Sequence, residues 1–125
     1  MASYFDFKAP KDKAFFWSKN KLLAKKLAKQ IDGLTLEMTP GGKVFDRWPW
    51  LKKKFPDWGS GGPLDRSLIW QALSERYAWG VSGKVTYVNP FWKKGRLGWM
   101  WKEVELKILK ELINAGIVDN IIYLP

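Results

Sequence analysis

The spacing of apolar residues in the first third of the chain predicts a helix followed by a short strand. Residues 13–31 place apolar side chains at helical spacing opposite a row of lysines, and Asp32-Gly33 ends this pattern. Residues 34–39 (LTLEMT) alternate apolar and polar side chains, which predicts a strand, and Pro40-Gly41-Gly42 predicts a turn after it. Glu37 then has two interpretations: an acid that faces water, or a carboxylate held where a ligand can approach closely.

The second half of the chain alternates helical and strand patterns. Residues 64–80 predict the clearest helix, which begins at Pro63 or Asp65 and is ended by Gly80 or Gly83. The β-branched stretch 84–89 predicts a strand, residues 103–116 a helix with Gly116 at its C-terminus, and residues 117–125 a final strand. This order predicts an α/β (α+β) fold, with an N-terminal helical part followed by a small, mostly parallel sheet with flanking helices.

The same patterns predict the buried positions and the irregular segments. Residues 1–12 are expected to form a poorly ordered arm, 43–48 a short helical piece, 49–63 a loop rich in Pro, Gly and Trp, and 90–98 a basic loop. The residues expected in the core are Phe16, Leu23, Ala24, Leu27, Ala28 and Ile31 in the first helix, Leu68, Ile69, Ala72, Leu73, Tyr77 and Ala78 in the second, and Leu106, Leu109, Leu112 and Ile113 in the third.

The composition of the chain restricts the possible kinds of active site more than it restricts the fold. A chain of 125 residues is long enough for one domain, 1–125, and too short for two comfortable ones. It contains no Cys and no His, which excludes disulfides, thiol nucleophiles, Ser-His-Asp triads and most zinc sites. No signal peptide is visible, no apolar run approaches the roughly 18 residues of a membrane-spanning helix, and the abrupt start is typical of a domain cut from a larger protein.

Charge and aromatic content point to an anionic or flat ligand. The net charge of +10 suits phosphates, nucleic acids, anionic membranes or an acidic protein, and does not choose among them. Several of the nine Trp residues must belong to the core, and others could line a pocket because the flat face of an indole suits stacking on rings.

Five residues stand out as candidates for such a pocket, although each has a simpler explanation. Glu105 is most simply a surface acid near a helix N-terminus, and Glu37 an exposed residue of a half-buried strand. Trp17 and Trp70 are more often core residues, and Ser74, one helical turn from Trp70, is an ordinary helix serine. Together, two carboxylates, two indoles and a hydroxyl would suit a flat, cationic or aromatic ligand.

The order of these features resembles the ADP-ribosyl cyclase family of NAD glycohydrolases. The matching segments are WSK (17–19), TLEMT (35–39), WQALSERYA (70–78), VTYV (85–88) and EVEL (103–106). They span nearly all of the chain after the first fourteen residues, and TLExT and WxxxSxRxA are the specific ones. The resemblance extends to bacterial versions of this domain, which are toxic C-terminal modules of contact-dependent and other polymorphic toxins paired with an immunity protein.

The resemblance implies a role for each matching residue. Glu105 would be the catalytic carboxylate that holds the ribose diol and stabilises the oxocarbenium ion. Glu37 would hold the nicotinamide carboxamide and influence hydrolysis against cyclisation. Trp17 and Trp70 would flank the nicotinamide. Asp46, in KVFDRW, would match an acidic residue that follows the family's TLEDT segment, where this chain has Met38 in place of the Asp.

The phosphates of the substrate need their own partners. The resemblance places Ser74 against a phosphate. The positive charges of Arg76, Lys93, Lys94 and Arg96 make them candidates for the diphosphate, with simple surface charges as the alternative.

We therefore expect an NAD(P)⁺-cleaving toxin domain that uses NAD or NADP as substrate and needs no cofactor. It would be delivered as the C-terminal part of a larger bacterial toxin, act in the cytoplasm of a target cell and bind an acidic immunity protein. Two alternatives stay open from the charge and the Trp content: a nuclease toxin and a non-catalytic nucleic-acid-binding module.

Overall fold

The computed structural model of the chain describes residues 6–18, 21–89 and 98–124. Two tight turns accompany the regular elements, a 3₁₀ turn at Leu36–Met38 and a π-helical turn at Trp101–Glu105. No helix within the described ranges has both the length and the apolar character needed to cross a lipid bilayer. The regular elements are β1 (Ala14–Trp17), α1 (Lys21–Gln30), α2 (Pro40–Asp46), α3 (Pro49–Lys54), α4 (Arg66–Trp79), β2 (Gly83–Val88), α5 (Leu106–Asn114) and β3 (Val118–Leu124).

The three strands form one parallel sheet in the order β1-β2-β3, which confirms the predicted fold class. Val85 of the central strand pairs with Ala14 on one side and Ile121 on the other. Helices pack against the sheet, and the central strand is almost completely covered, as parallel sheets generally are. Val85, Tyr87 and Val88 are all fully buried.

Helix α4 confirms the clearest prediction from the sequence. The Asp65 side chain accepts a hydrogen bond from the Ser67 N–H and caps the N-terminus, and Gly80 follows the last turn. The predicted apolar stripe is only partly correct, because Leu68 and Ala72 are exposed. The sequence pattern could not separate the core face from the neighbouring face, which lines the cavity described below.

Strand β1 corrects the predicted first helix, which begins at Lys21 rather than at residue 13. Phe15 and Phe16 point to opposite faces of the sheet and are both buried. A strand covered on both faces shows a continuous apolar run, which a helical pattern fits equally well. Ile31, expected in the core, is 53% exposed beyond the helix end.

The segment 34–42 is not a strand followed by a turn. Leu34 makes one isolated bridge to Ala14, and the chain then enters the 3₁₀ turn. Thr39 caps α2: its hydroxyl donates to the Leu36 carbonyl at 2.6 Å and accepts from the Gly42 N–H at 3.0 Å. Thr-Pro is therefore a helix start, with Pro40 at the first helical position.

Two further expectations need correction. The segment before β1 is not a loose arm in its described part, because Phe7 and Ala9 are buried and the Gly41 N–H donates to the Asp6 carbonyl at 2.7 Å. The predicted loop 49–63 begins with α3, whose first residue is Pro49. The basic loop predicted at 90–98 lies outside the described residues except for Gly98.

Helix α5 and β3 are where the sequence predicts them, and most of the expected core positions of α5 are confirmed. Leu109 and Leu112 are buried, and Leu106 packs partly buried against the core. Ile113, at 36% exposed, lies at the edge of the apolar face.

The hydroxyl of Tyr77 joins α4 to the sheet. It accepts a hydrogen bond from the Phe15 N–H at 3.0 Å and donates to the carbonyl of Leu34. We expect Tyr77→Phe to lower the free energy of unfolding by about 1–3 kcal/mol, because the buried Phe15 N–H and the partly buried Leu34 carbonyl lose their partner. Urea unfolding measures this as a lower midpoint with an unchanged slope, and an unchanged midpoint would contradict it.

Candidate active site

One large cavity of about 830 Å³ opens beside the end of β1. Trp17 ends that strand, and crevices outside the carboxyl ends of parallel strands are the usual ligand sites of such folds. Further walls of the cavity come from the 3₁₀ turn, α2, α3, α4 and the π-helical turn. Six of the residues singled out from the sequence line this cavity: Trp17, Glu37, Asp46, Trp70, Ser74 and Glu105.

Arg76 is not among the residues of this cavity. It follows Ser74 by two positions, which is about 200° around the helix, so it leaves the opposite side of α4. Its guanidinium lies 5.5 Å from the ring centre of Phe7. The structure therefore does not bring Arg76 to this cavity, and its contact with a phosphate stays a prediction. Lys93, Lys94 and Arg96 lie outside the described residues.

Glu37 is buried and held by a hydrogen bond. The indole Nε1 of Trp17 donates to its Oε2 at 3.0 Å, and only 8% of the residue is exposed. Its backbone lies in the 3₁₀ turn between Thr35 and Thr39, both of which are fully buried. Of the two interpretations open from the sequence, the structure selects the enclosed carboxylate.

Glu105 is the second buried carboxylate of the cavity. It ends the π-helical turn, in which the Leu106 N–H bonds to the Trp101 carbonyl five residues back. Trp101 is fully buried and stacks on Tyr87 with ring centres 3.9 Å apart, so the turn has a fixed anchor. Burial raises the pKa of Glu105 well above its ordinary value, and the negative charge of Glu37 raises it further.

Tyr77 lies beside both carboxylates and was expected only as a core residue. Burial raises the pKa of its hydroxyl, and the charges of Glu105 and Glu37 add to this effect although the hydrogen bond from Phe15 opposes it. The hydroxyl therefore stays protonated at neutral pH. Its position could have been found from the sequence, because Trp70, Ser74 and Tyr77 follow one another at helical spacing along one face.

Asp46 is bound by lysines in this structure. Its carboxylate oxygens lie 2.9 Å from the ammonium of Lys21 and 3.5 Å from that of Lys25. Burial alone raises the pKa of Asp46, but the hydrogen bonds and charges of the two lysines outweigh it and lower the value. Lys21 also lines the cavity. This position could not be predicted, because no local sequence pattern pairs Lys21 with Asp46.

A hydroxyl network holds Ser18, which follows β1 directly and lines the cavity. Tyr87 donates to the Ser18 hydroxyl at 2.7 Å and accepts from the Asn89 side chain at 3.0 Å. Gly98 packs so closely on Ser18 that a Cβ atom at Gly98 would meet the hydroxyl at 2.3 Å. Ser18 is therefore fixed in place at the cavity edge.

The described residues contain no cluster of three or more His, Cys, Asp or Glu side chains that could hold a metal ion. The chemical resources of the cavity are instead two buried carboxylates, indole rings, hydroxyls and a lysine. Such a set can bind a cationic ring, stabilise a developing positive charge and hold an anion nearby.

Comparison with known proteins supports the fold. No family model matches the chain, and no curated protein matches it in sequence. Among solved structures, the chain is similar to CD38, in a structure from a study of its catalytic mechanism and of a conformationally flexible covalent enzyme–substrate complex. The TM-score is 0.63 at 21% identity, over 94% of this chain and 66% of the other. The chain therefore has the cyclase-like fold that the motifs imply, and it spans about two thirds of the length of the CD38 chain.

Proposed function

We propose that this protein is an NAD(P)⁺ glycohydrolase that cleaves the bond between nicotinamide and ribose. The observation that carries the proposal is the pair of buried carboxylates, Glu37 and Glu105, which line one cavity together with Trp17 and Trp70. The CD38-like fold supports the same reaction class. We expect nicotinamide and ADP-ribose as products, with a cyclic product as the alternative.

The residues present suit this reaction because its leaving group needs no acid. The electron pair of the C1′–N bond moves to the pyridinium nitrogen, and nicotinamide departs as a neutral molecule. The positive charge passes to C1′ and the ring oxygen of the ribose, where the Glu105 carboxylate would stabilise it. Water then adds to C1′ and releases a proton, which completes the hydrolysis.

The other residues of the cavity would position the substrate. Trp17 and Trp70 would enclose the cationic nicotinamide ring, and Glu37, held by the Trp17 indole, would accept from its carboxamide. Ser74 and Lys21 face the same cavity and would contact phosphate oxygens. Asp46 would act indirectly in this arrangement, as the carboxylate that holds Lys21.

The pH dependence of kcat/KM should show the electrostatic effect of Glu37 on the pKa of Glu105. Only ionised Glu105 can stabilise the ribose cation, so kcat/KM should rise with pH through the raised pKa of Glu105. Glu37→Gln removes a negative neighbour and should move this inflection to lower pH. Glu103→Gln is the control, because Glu103 pairs with Lys107 at the surface and should leave the inflection in place. An unmoved inflection in Glu37→Gln would contradict the coupling.

The direct test is incubation of the purified protein with NAD⁺ and NADP⁺ separately. Nicotinamide release and the ribosyl product are followed by chromatography, which also separates hydrolysis from cyclisation. The proposal predicts release from at least one dinucleotide. No release from folded protein would overturn it, and cleavage of total RNA or plasmid with intact NAD⁺ would favour the nuclease alternative.

The proposal extends to a toxin role, as the motif resemblance implies. The domain would be delivered as the C-terminal part of a larger bacterial toxin, deplete NAD(P) in the cytoplasm of a target cell and be neutralised by an acidic immunity protein. The net charge of +10 supports an acidic partner. Expression inside cells should stop growth and lower the NAD(P) pool, and equal growth of cells that express the Glu105→Gln variant and the unaltered protein would contradict it.

A further inference from the structure

The mouth of the cavity has a surface that the proposed chemistry does not use. We define the outer rim as Trp48, Lys52, Trp58 and Arg66, all of which line the cavity. Unlike Glu37 and Glu105, the two indoles of the rim are well exposed, Trp48 at 41% and Trp58 at 60%. Exposed indoles clustered at a concave site are typical of a surface that binds a flat group.

Trp58 combines one cation–π contact with a large exposed fraction. The guanidinium of Arg66 lies 5.5 Å from its ring centre, and Arg66 also donates from Nη1 to the Phe55 carbonyl at 3.2 Å. Since Trp58 is mostly exposed despite this contact, a nucleobase has room to stack on it. Stacking of a base on an aromatic side chain contributes about 1–3 kcal/mol, largely independent of the base.

The outer rim also carries two positive charges. Lys52 and Arg66 both line the cavity there, and Lys53 and Lys54 continue the basic end of α3 at the surface. The nearby carboxylate of Asp65 does not neutralise Arg66 by pairing. It accepts from the Gly59, Gly61 and Ser67 N–H groups and from the Ser67 hydroxyl, and so serves to close the loop.

We propose that the outer rim binds a 2′-phosphorylated adenosine, with the base on Trp58 and the 2′-phosphate on Lys52 and Arg66, so that the preferred substrate is NADP⁺. This inference rests on the proposed function. In a dinucleotide whose nicotinamide lies beside the buried carboxylates, the diphosphate comes between the two ends, and Lys21 also lines this cavity. The adenosine end of NAD⁺ carries no charge, whereas that of NADP⁺ carries a phosphate that would use the two rim cations.

Two ligands that cannot be cleaved test this independently of turnover: adenosine 2′,5′-bisphosphate and 5′-AMP, titrated calorimetrically into the full chain. The bisphosphate should bind at least about tenfold more tightly than AMP. Lys52→Ala should remove most of this difference, and Lys54→Ala should keep it, because Lys54 carries the same charge on the same helix without lining the cavity. Trp58→Ala should weaken both ligands by a similar factor, about tenfold, whereas Trp79→Ala, at an exposed Trp outside the cavity, should not.

Equal affinity for the two ligands would overturn the proposal. Equal effects of Lys52→Ala and Lys54→Ala would also overturn it, because they would indicate attraction by the overall positive charge of the surface rather than by a specific site. Unaltered binding in Trp58→Ala would exclude the stacking. Failure of these titrations in a protein that still releases nicotinamide would overturn this inference alone. Rim-dependent binding of the bisphosphate without nicotinamide release from either dinucleotide would overturn the proposed reaction and leave the adenosine site supported.

Discussion

Glu105→Gln is expected to reduce nicotinamide release by at least about 10³-fold while the domain stays folded. Removal of a single neutral donor from an oxyanion hole reduces kcat by about 10²–10³-fold, and the charge on Glu105 would be the principal group facing the ribose cation. Glutamine has nearly the same size and keeps the hydrogen-bonding ability but cannot become an anion. Single-turnover release of nicotinamide at saturating dinucleotide measures the chemical step.

The same substitution should not lower stability, which separates catalysis from folding. The pKa of Glu105 is raised in the folded state, so folding binds protons in the pH range between the unfolded and folded values. This contribution is fully present below the unfolded pKa and is lost as the pH rises through the folded value. Glutamine does not titrate, so the free energy of unfolding of the variant should exceed that of the unaltered protein increasingly as pH rises. Parallel loss of activity and of stability would instead mark Glu105 as a structural residue.

Glu103→Gln is a matched control for both measurements. Glu103 lies in the same π-helical turn but forms an exposed ion pair with Lys107. Pairs of this kind contribute little, so its activity and stability should stay close to those of the unaltered protein.

The elements that could be predicted from the sequence are those marked by local patterns. Helix α4 has a cap at Asp65, a glycine after its last turn and a helical pattern between them. Strands β2 and β3 have β-branched runs that each follow a glycine, and their alternation with helices indicates a parallel sheet. The motif order identified six residues that the fold brings to one cavity, although their catalytic and binding roles stay predictions.

The features that could not be predicted depend on contacts between segments that are far apart in the sequence. Strand β1 shows an uninterrupted apolar run because both of its faces are covered, and that run cannot be told from a helix by spacing. The ion pair of Lys21 with Asp46 joins α1 to α2 across 25 positions, so no local pattern signals it. The position of Arg76 follows from which face of α4 meets the sheet, which the helical pattern alone left open.

The structure of the Pro-Gly-Gly segment differs from the one predicted from the sequence. The sequence predicts a turn at Pro40-Gly41-Gly42, but Gly42 lies inside α2 and supports the turn that holds Glu37. A Cβ atom at Gly42 would lie 1.7 Å from the Leu36 carbonyl oxygen and 2.9 Å from the Thr39 hydroxyl. The absence of a side chain is therefore what allows the 3₁₀ turn and α2 to pack together.

Gly42→Ala is accordingly expected to lower the free energy of unfolding by at least about 3 kcal/mol, beyond the usual range for added methyl groups. The clash is with backbone atoms of Leu36, so a change of side-chain rotamer cannot relieve it. Because the net stability of domains is about 5–15 kcal/mol, a fraction of the variant should still fold, and its turn must shift. Glu37 follows Leu36 directly, so the folded fraction should also lose nicotinamide release per molecule.

Gly62→Ala is the control for this prediction, because its new Cβ would meet only the Ser60 hydroxyl, at 3.7 Å. Urea unfolding and nicotinamide release, measured on both variants, separate the two effects. A stable Gly42→Ala variant would show that the 3₁₀ turn can move without loss of packing. A variant that is destabilised but cleaves normally per folded molecule would show that the position of Glu37 does not depend on this contact.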